Sequence, residues 1–131
     1  MDVKNDLSGG KLTLLIAEDE ESNYLLLKTI LHKYCNLIRA KTGLEALALF
    51  KENEVDLILM DIKMPEMTGI ESLKEICKLS KDIPVIMQSA NVSVSDTEAA
   101  KEAGASGFIT KPINLKVLKN TISQYCPSIV W

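Results

Sequence analysis

From Leu12 onward, short apolar runs alternate with longer segments whose apolar residues recur at helical spacing. Residues 12–17, 37–40, 55–60, 85–88 and 107–110 read as strands. The first and third of these are nearly continuous apolar runs, the pattern of strands covered on both faces. In the first intervening segment Leu27, Ile30, Leu31 and Tyr34 share one helical face. In the last, Leu115, Leu118, Ile122 and Tyr125 do the same before Pro127 stops the helix. Helix starts are marked by Thr42-Gly43-Leu44-Glu45, Thr68-Gly69-Ile70-Glu71 and Ser95-Asp96-Thr97-Glu98, each with the capping-box spacing that satisfies two orphan N–H groups reciprocally. Gly69 reads as a helix-start glycine and Gly104 as a glycine just past a helix end. This rhythm predicts βαβ units: a doubly wound α/β domain with five strands, five helices and a mostly parallel sheet.

A chain of 131 residues makes one domain of that kind, here bounded as residues 11–127. Residues 1–10, with Ser8-Gly9-Gly10, read as a flexible leader, and 128–131 as a short C-terminal tail, docked or frayed. Apolar residues at 47% and charged residues at 25% fit a globular protein and exclude disordered or collagen-like classes. A net charge of −3 with no basic run gives no footprint for direct nucleic-acid binding. No apolar stretch approaches the roughly 20 residues of a membrane span, and the start lacks the apolar core of a secretory signal, so the expected location is cytoplasmic. Cys35, Cys77 and Cys126 form no C-x-x-C pair and read as reduced core thiols; His32, the single histidine, reads as a surface or packing residue near a helix end.

In an open parallel sheet, ligands bind beyond the carboxyl ends of the strands. Glu18 and Asp19 follow the first strand, Asp61 ends the third, and Ser89 and Lys111 follow or end the fourth and fifth. Three carboxylates at one edge repel each other by about 4 kcal/mol per pair at 4 Å and an effective dielectric of 20, so the cluster implies a cation. Ligands that are all oxygen suit Mg2+, whereas zinc favours His or Cys. Lys111 adds a charge able to pair with a carboxylate or a phosphoryl group, and Ser89 a hydroxyl donor.

With Glu18-Asp19-Glu20, the run Leu57-Ile58-Leu59-Met60-Asp61-Ile62-Lys63-Met64-Pro65 to Gly69, Pro84-Val85-Ile86-Met87-Gln88-Ser89-Ala90, and Gly104 through Phe108 to Lys111-Pro112, the chain resembles a response-regulator receiver domain of two-component signal transduction. The resemblance implies a flavodoxin-like fold with strand order 2-1-3-4-5. It implies that Asp61 is the phosphoacceptor, and that Mg2+ is held by Asp19, Asp61, the Lys63 carbonyl and, through water, Glu18. It also implies that Ser89 and Lys111 act catalytically, that Ser89 and Phe108 form the switch, and that Lys63 and Asn91 tune dephosphorylation. The Lys111–Pro112 bond is cis in that family. Implied partners are a sensor histidine kinase or a histidine-phosphotransfer protein, together with an output partner or a homodimer through the face of the fourth helix, fifth strand and fifth helix. Such a phosphoprotein catalyses its own phosphorylation and dephosphorylation but acts mainly as a switch. Asn23 favours the receiver of a hybrid histidine kinase over a stand-alone regulator in a phosphorelay.

Two other classes compete. A degenerate receiver, acting as an interaction module without phosphorylation, would lack the acid pair, the acceptor or the lysine, all of which are present. An aspartate-nucleophile phosphatase of the haloacid dehalogenase type needs a second acid two residues after its nucleophile, where this chain has Lys63.

Overall fold

The computed structural model describes residues 11–90 and 93–131, so the expected leader at 1–10 and Asn91 lie outside the described residues. Five βα units follow one another: β1 (Leu12–Ala17), α1 (Glu21–Leu31), β2 (Cys35–Ala40), α2 (Gly43–Glu52), β3 (Leu57–Asp61), α3 (Gly69–Leu79), β4 (Val85–Ser89), α4 (Val94–Ala103), β5 (Gly107–Thr110) and α5 (Leu115–Tyr125). All strand pairs are parallel, in the order β2-β1-β3-β4-β5. Among the described residues no helix is long and apolar enough to cross a membrane.

Side-chain alternation divides the core into two layers. Leu14, Ile16, Leu57, Leu59, Ile86 and Ile109 pack with Leu27 and Leu31 of α1 and Leu118 and Ile122 of α5. Their neighbours Leu15, Ile58, Met60, Val85 and Met87 pack with Ala46 of α2, Leu73 and Ile76 of α3 and Ala100 of α4. The central strands β1, β3 and β4 are buried along their whole length, which is why β1 and β3 read as nearly continuous apolar runs.

Several boundaries differ from the sequence reading. The third strand starts at Leu57 rather than at residue 55, because the Asp56 carboxylate accepts the Thr13 N–H at 2.8 Å and replaces a rung of the ladder. The second strand starts earlier, with Cys35 in register with Leu12. Of the three capping boxes, Thr68 and Glu71 form a complete one. Thr42 caps Glu45, but the Glu45 carboxylate takes the Lys41 N–H instead of returning to Thr42. The third is displaced by two residues: Ser93, not Ser95, caps α4 through the Asp96 N–H at 3.0 Å. On α5 the middle of the expected face is buried, whereas Leu115 and Tyr125 at its ends are exposed. Tyr125 spans the edge with a hydroxyl that donates to the Ser106 carbonyl at 2.6 Å.

His32 lies exposed at the end of α1. Cys35 and Cys126 are buried, and Cys77 is only half-buried; all three are free thiols. The tail is docked: the Trp131 ring meets Tyr34 edge-on at 4.9 Å, and its indole N–H donates to Ser123 at 2.7 Å. Gly104 adopts φ +114° past α4, and its N–H and that of Ala105 return to Lys101 and Ala100.

Gly69 is required by proximity, since a Cβ there would lie 2.0 Å from the Asp61 carbonyl oxygen. Gly69→Ala is therefore expected to lower the urea midpoint by an amount corresponding to about 1–3 kcal/mol, as overpacking does. An unchanged midpoint would show that the α3 start can move away from β3. Burial pushes the Cys35 thiol up to about 11, helped by the nearby Cys126, and pushes Cys126 to about 11 as well. A raised folded-state pKa contributes stability below the unfolded-state pKa, 9.0 for a free thiol, and loses it as pH rises towards 11. Unfolding free energy should thus decline between those limits, and decline less in a Cys35→Ala, Cys126→Ala variant; equal slopes would rule the thiols out.

Candidate functional site

Parallel register brings the carboxyl ends of four strands to one edge. Ala17 is level with Met60, so Glu18 follows beside Asp61; Asp61 is level with Gln88, and Ser89 with Thr110. Lys111 continues from β5, its N–H donating to the Ser89 carbonyl at 3.0 Å. Oxygens of Glu18, Asp19 and Asp61 lie within 4.8 Å of one another. Asp19 and Asp61 open into a cleft of about 310 Å³ lined also by Glu20, Lys63, Ser89 and Lys111. A larger cleft of about 450 Å³ between Asn53, Asp56 and Asp82 lies at the opposite ends of the strands, away from this chemistry.

Lys111 sits at the centre of the charge. Its ammonium is 2.8 Å from Asp61 Oδ2, 3.0 Å from Glu18 Oε1 and 3.4 Å from Glu20 Oε1. Burial works against that charge, but hydrogen bonds to Asp61 and Glu18 outweigh it and hold the lysine pKa above its ordinary value. Glu18 is wholly buried, and burial pushes its carboxyl up, against the hydrogen bond from Lys111 and the Glu20 N–H. Asn23 Nδ2 donates to the same Oε1 as Lys111, and the Glu20 N–H reaches Oε2 at 3.1 Å.

This occupancy bears on what could hold a metal. Glu18 already accepts from three protein donors and is wholly buried, whereas Asp61, which accepts from Lys111 and the Lys63 N–H, and exposed Asp19 both line the cleft and face it. The donor set is oxygen alone and suits a hard divalent ion with retained waters. The Lys63 N–H donates to Asp61 Oδ1 at 3.2 Å, fixing the turn after β3.

Ser89 is buried at the end of β4. Phe108 is half-buried, level with Met87 and packed on the second core layer beside a small cleft of about 100 Å³ bounded by Lys101 and Ala105. Lys63 is exposed at the cleft, and the Lys111–Pro112 peptide is cis. The geometry thus gathers Asp19, Asp61, Lys63, Ser89 and Lys111 at one cleft with Glu18 buried behind it, and sets Phe108 on β5, separated from β3 by β4.

Two residues near the site were not singled out from sequence. Arg39, at the end of β2, donates to the Glu18 carbonyl from Nε at 3.2 Å and Nη2 at 3.1 Å. A charge interrupting the apolar run of a strand was its signal. Gln88, level with Asp61, is 1% exposed and its amide nitrogen is the one buried side-chain donor without a partner among the described residues. A polar residue in the apolar run before Ser89 was the corresponding signal.

Residues 14–123 match the family described as the response regulator receiver domain. The transcriptional regulatory protein ZraR of Klebsiella oxytoca is 35% identical over 90% of this chain, which spans 27% of that protein's length. The polar-differentiation response regulator DivK of Brucella ovis is 37% identical over 86% of this chain and 94% of its own. A CheY-like receiver domain from Methanospirillum hungatei superposes with a TM-score of 0.84 at 30% identity, covering 88% of this chain and 93% of that one. Sequence, topology and the acidic strand-end cluster agree: the chain belongs to the response regulator receiver domain family of two-component signalling.

Proposed function

We propose that this receiver domain accepts a phosphoryl group on Asp61 from a phosphohistidine, borne by a sensor histidine kinase or a histidine-phosphotransfer protein, and that Mg2+ is its cofactor. The observation supporting this reading is the contact of the Lys111 ammonium with both Asp61 and Glu18, beside exposed Asp19 in an open cleft. An Asp61 oxygen attacks phosphorus, the N–P bond breaks, the imidazole leaves and an acyl phosphate remains. Phosphoryl transfer has a loose transition state, so the work of the site is positioning and charge neutralisation. Mg2+ would be held by Asp19, Asp61 and the Lys63 carbonyl, with Glu18 behind, and supplies positive charge to the phosphoryl oxygens. Lys111, released from Asp61 Oδ2, pairs with one of those oxygens, and Ser89 donates to another.

On this reading residues 11–127 form the cytoplasmic receiver unit, either a stand-alone regulator or part of a hybrid kinase. Lys63 and Asn91, two positions beyond Asp61 and Ser89 respectively in the sequence, set the access of hydrolytic water to the acyl phosphate. Ser89 moves towards the new anion, Phe108 turns into the space left, and the face of α4, β5 and α5 changes for an output partner or a second copy.

Incubation with acetyl phosphate and Mg2+ should add one phosphoryl mass to the intact protein, absent from Asp61→Asn. Equal labelling of that variant would place the acceptor elsewhere. Ser89→Ala should still bind beryllofluoride yet lose most of the amide shift changes at α4 and β5 seen in wild type. The hydrogen bond at stake is worth about 1.5–3 kcal/mol, enough to bias states already close in energy. Identical shifts in both proteins would break the coupling from Ser89 to Phe108.

A further inference from the structure

The loop that carries Glu18, Asp19 and Glu20 begins where β1 leaves the sheet, and Asp19 at its centre is exposed. Something must hold that peptide for Asp19 to face Asp61. We infer that Arg39 is the positioning residue for the cation site, a guanidinium clamp on the Glu18 carbonyl that fixes the Glu18–Asp19 peptide and hence the direction of the Asp19 carboxylate. This rests on the proposed binding of Mg2+ at the acidic cluster.

Nε and Nη2 both donate to the Glu18 oxygen, while Nη1 donates to Glu21 Oε1 at 2.7 Å. The guanidinium carbon lies 4.3 Å from the centre of the Tyr24 ring. Thus one planar group joins the end of β2, the loop after β1 and the first turn of α1. The side chain of Arg39 is 13% exposed and that of Glu21 64%, so the fork toward the backbone is the better shielded part of the network. The Glu18 N–H donates to the Ala40 carbonyl at 2.9 Å, so β2 grips both ends of the residue before Asp19. A planar fork fits this double contact, which a lysine ammonium cannot reproduce.

Position and charge make opposite demands here. Arg39 is a cation near an acidic cluster, so by charge alone its removal would strengthen Mg2+ binding. As a clamp, its removal weakens binding, by about tenfold if it behaves as groups that orient metal ligands do. Mg2+ titration followed by the amide shifts of Asp19 and Lys63 separates the two. Arg39→Gln and the charge-retaining Arg39→Lys are both expected to bind about tenfold more weakly, with thermal midpoint and core amide dispersion checked in each. Tyr24→Leu, which removes the stacking ring and no charge, should weaken binding in the same direction by less. Wild-type or tighter affinity in folded Arg39→Gln, or full affinity in Arg39→Lys, overturns the clamp alone. Wild type without saturable Mg2+ binding, or Asp19→Asn with undiminished binding, overturns the metal assignment and the clamp with it.

Discussion

A carboxylate with no exposure to water is tolerated only when charge and hydrogen bonds replace its solvent, and Glu18 imposes that condition on the whole edge of the sheet. Lys111 meets it, together with Asn23 and the Glu20 N–H. Because Lys111 also contacts Asp61, the geometry of four strands becomes interdependent. β5 must end level with β4 to deliver the ammonium, and β1 must end level with β3 to bring Glu18 beside Asp61. A register shift by one residue would turn these side chains to the other face and leave a buried charge unpaired. On the proposed function, the same lysine that neutralises the resting site is the group that would meet an incoming anion.

Much of the site was legible because a parallel sheet turns sequence order into spatial order: residues that end strands converge on one edge, whatever lies between them. That logic puts Glu18, Asp19, Asp61, Ser89 and Lys111 at one edge from strand order alone. It could not place Arg39, whose relevance comes from a backbone carbonyl 21 positions away in the chain. Side chains that bind the backbone leave no trace in spacing. The errors at element ends have the same origin. Asp56 substitutes a carboxylate for a ladder partner, and Ser93 and Ser95 offer the same capping chemistry two residues apart. Local pattern cannot choose between equivalent hydroxyls. Leu115 and Tyr125 lie on the right stripe of α5, but a stripe does not tell how far the sheet beneath it extends.

The two sides of the acceptor differ in how firmly they are held. On the β3 side, α3 buries Gly69, Ser72, Leu73 and Ile76, and its first turn rests against the Asp61 carbonyl. The Ser72 hydroxyl ties it to the Gly43 carbonyl at 2.8 Å. Beyond β4, α4 buries Ala100 alone and leaves Val94 largely exposed. Full burial of a Leu or Ile contributes about 1.5–3 kcal/mol, so moving α3 would cost several such terms and moving α4 few. Segments with little buried apolar contact open at the lowest free energy. A charge change at Asp61 therefore meets rigid backbone on one side and yielding structure on the other. The half-buried Phe108, with space beside it, stands on the yielding side. The direction in which a signal would leave this site is set by where the core is thin.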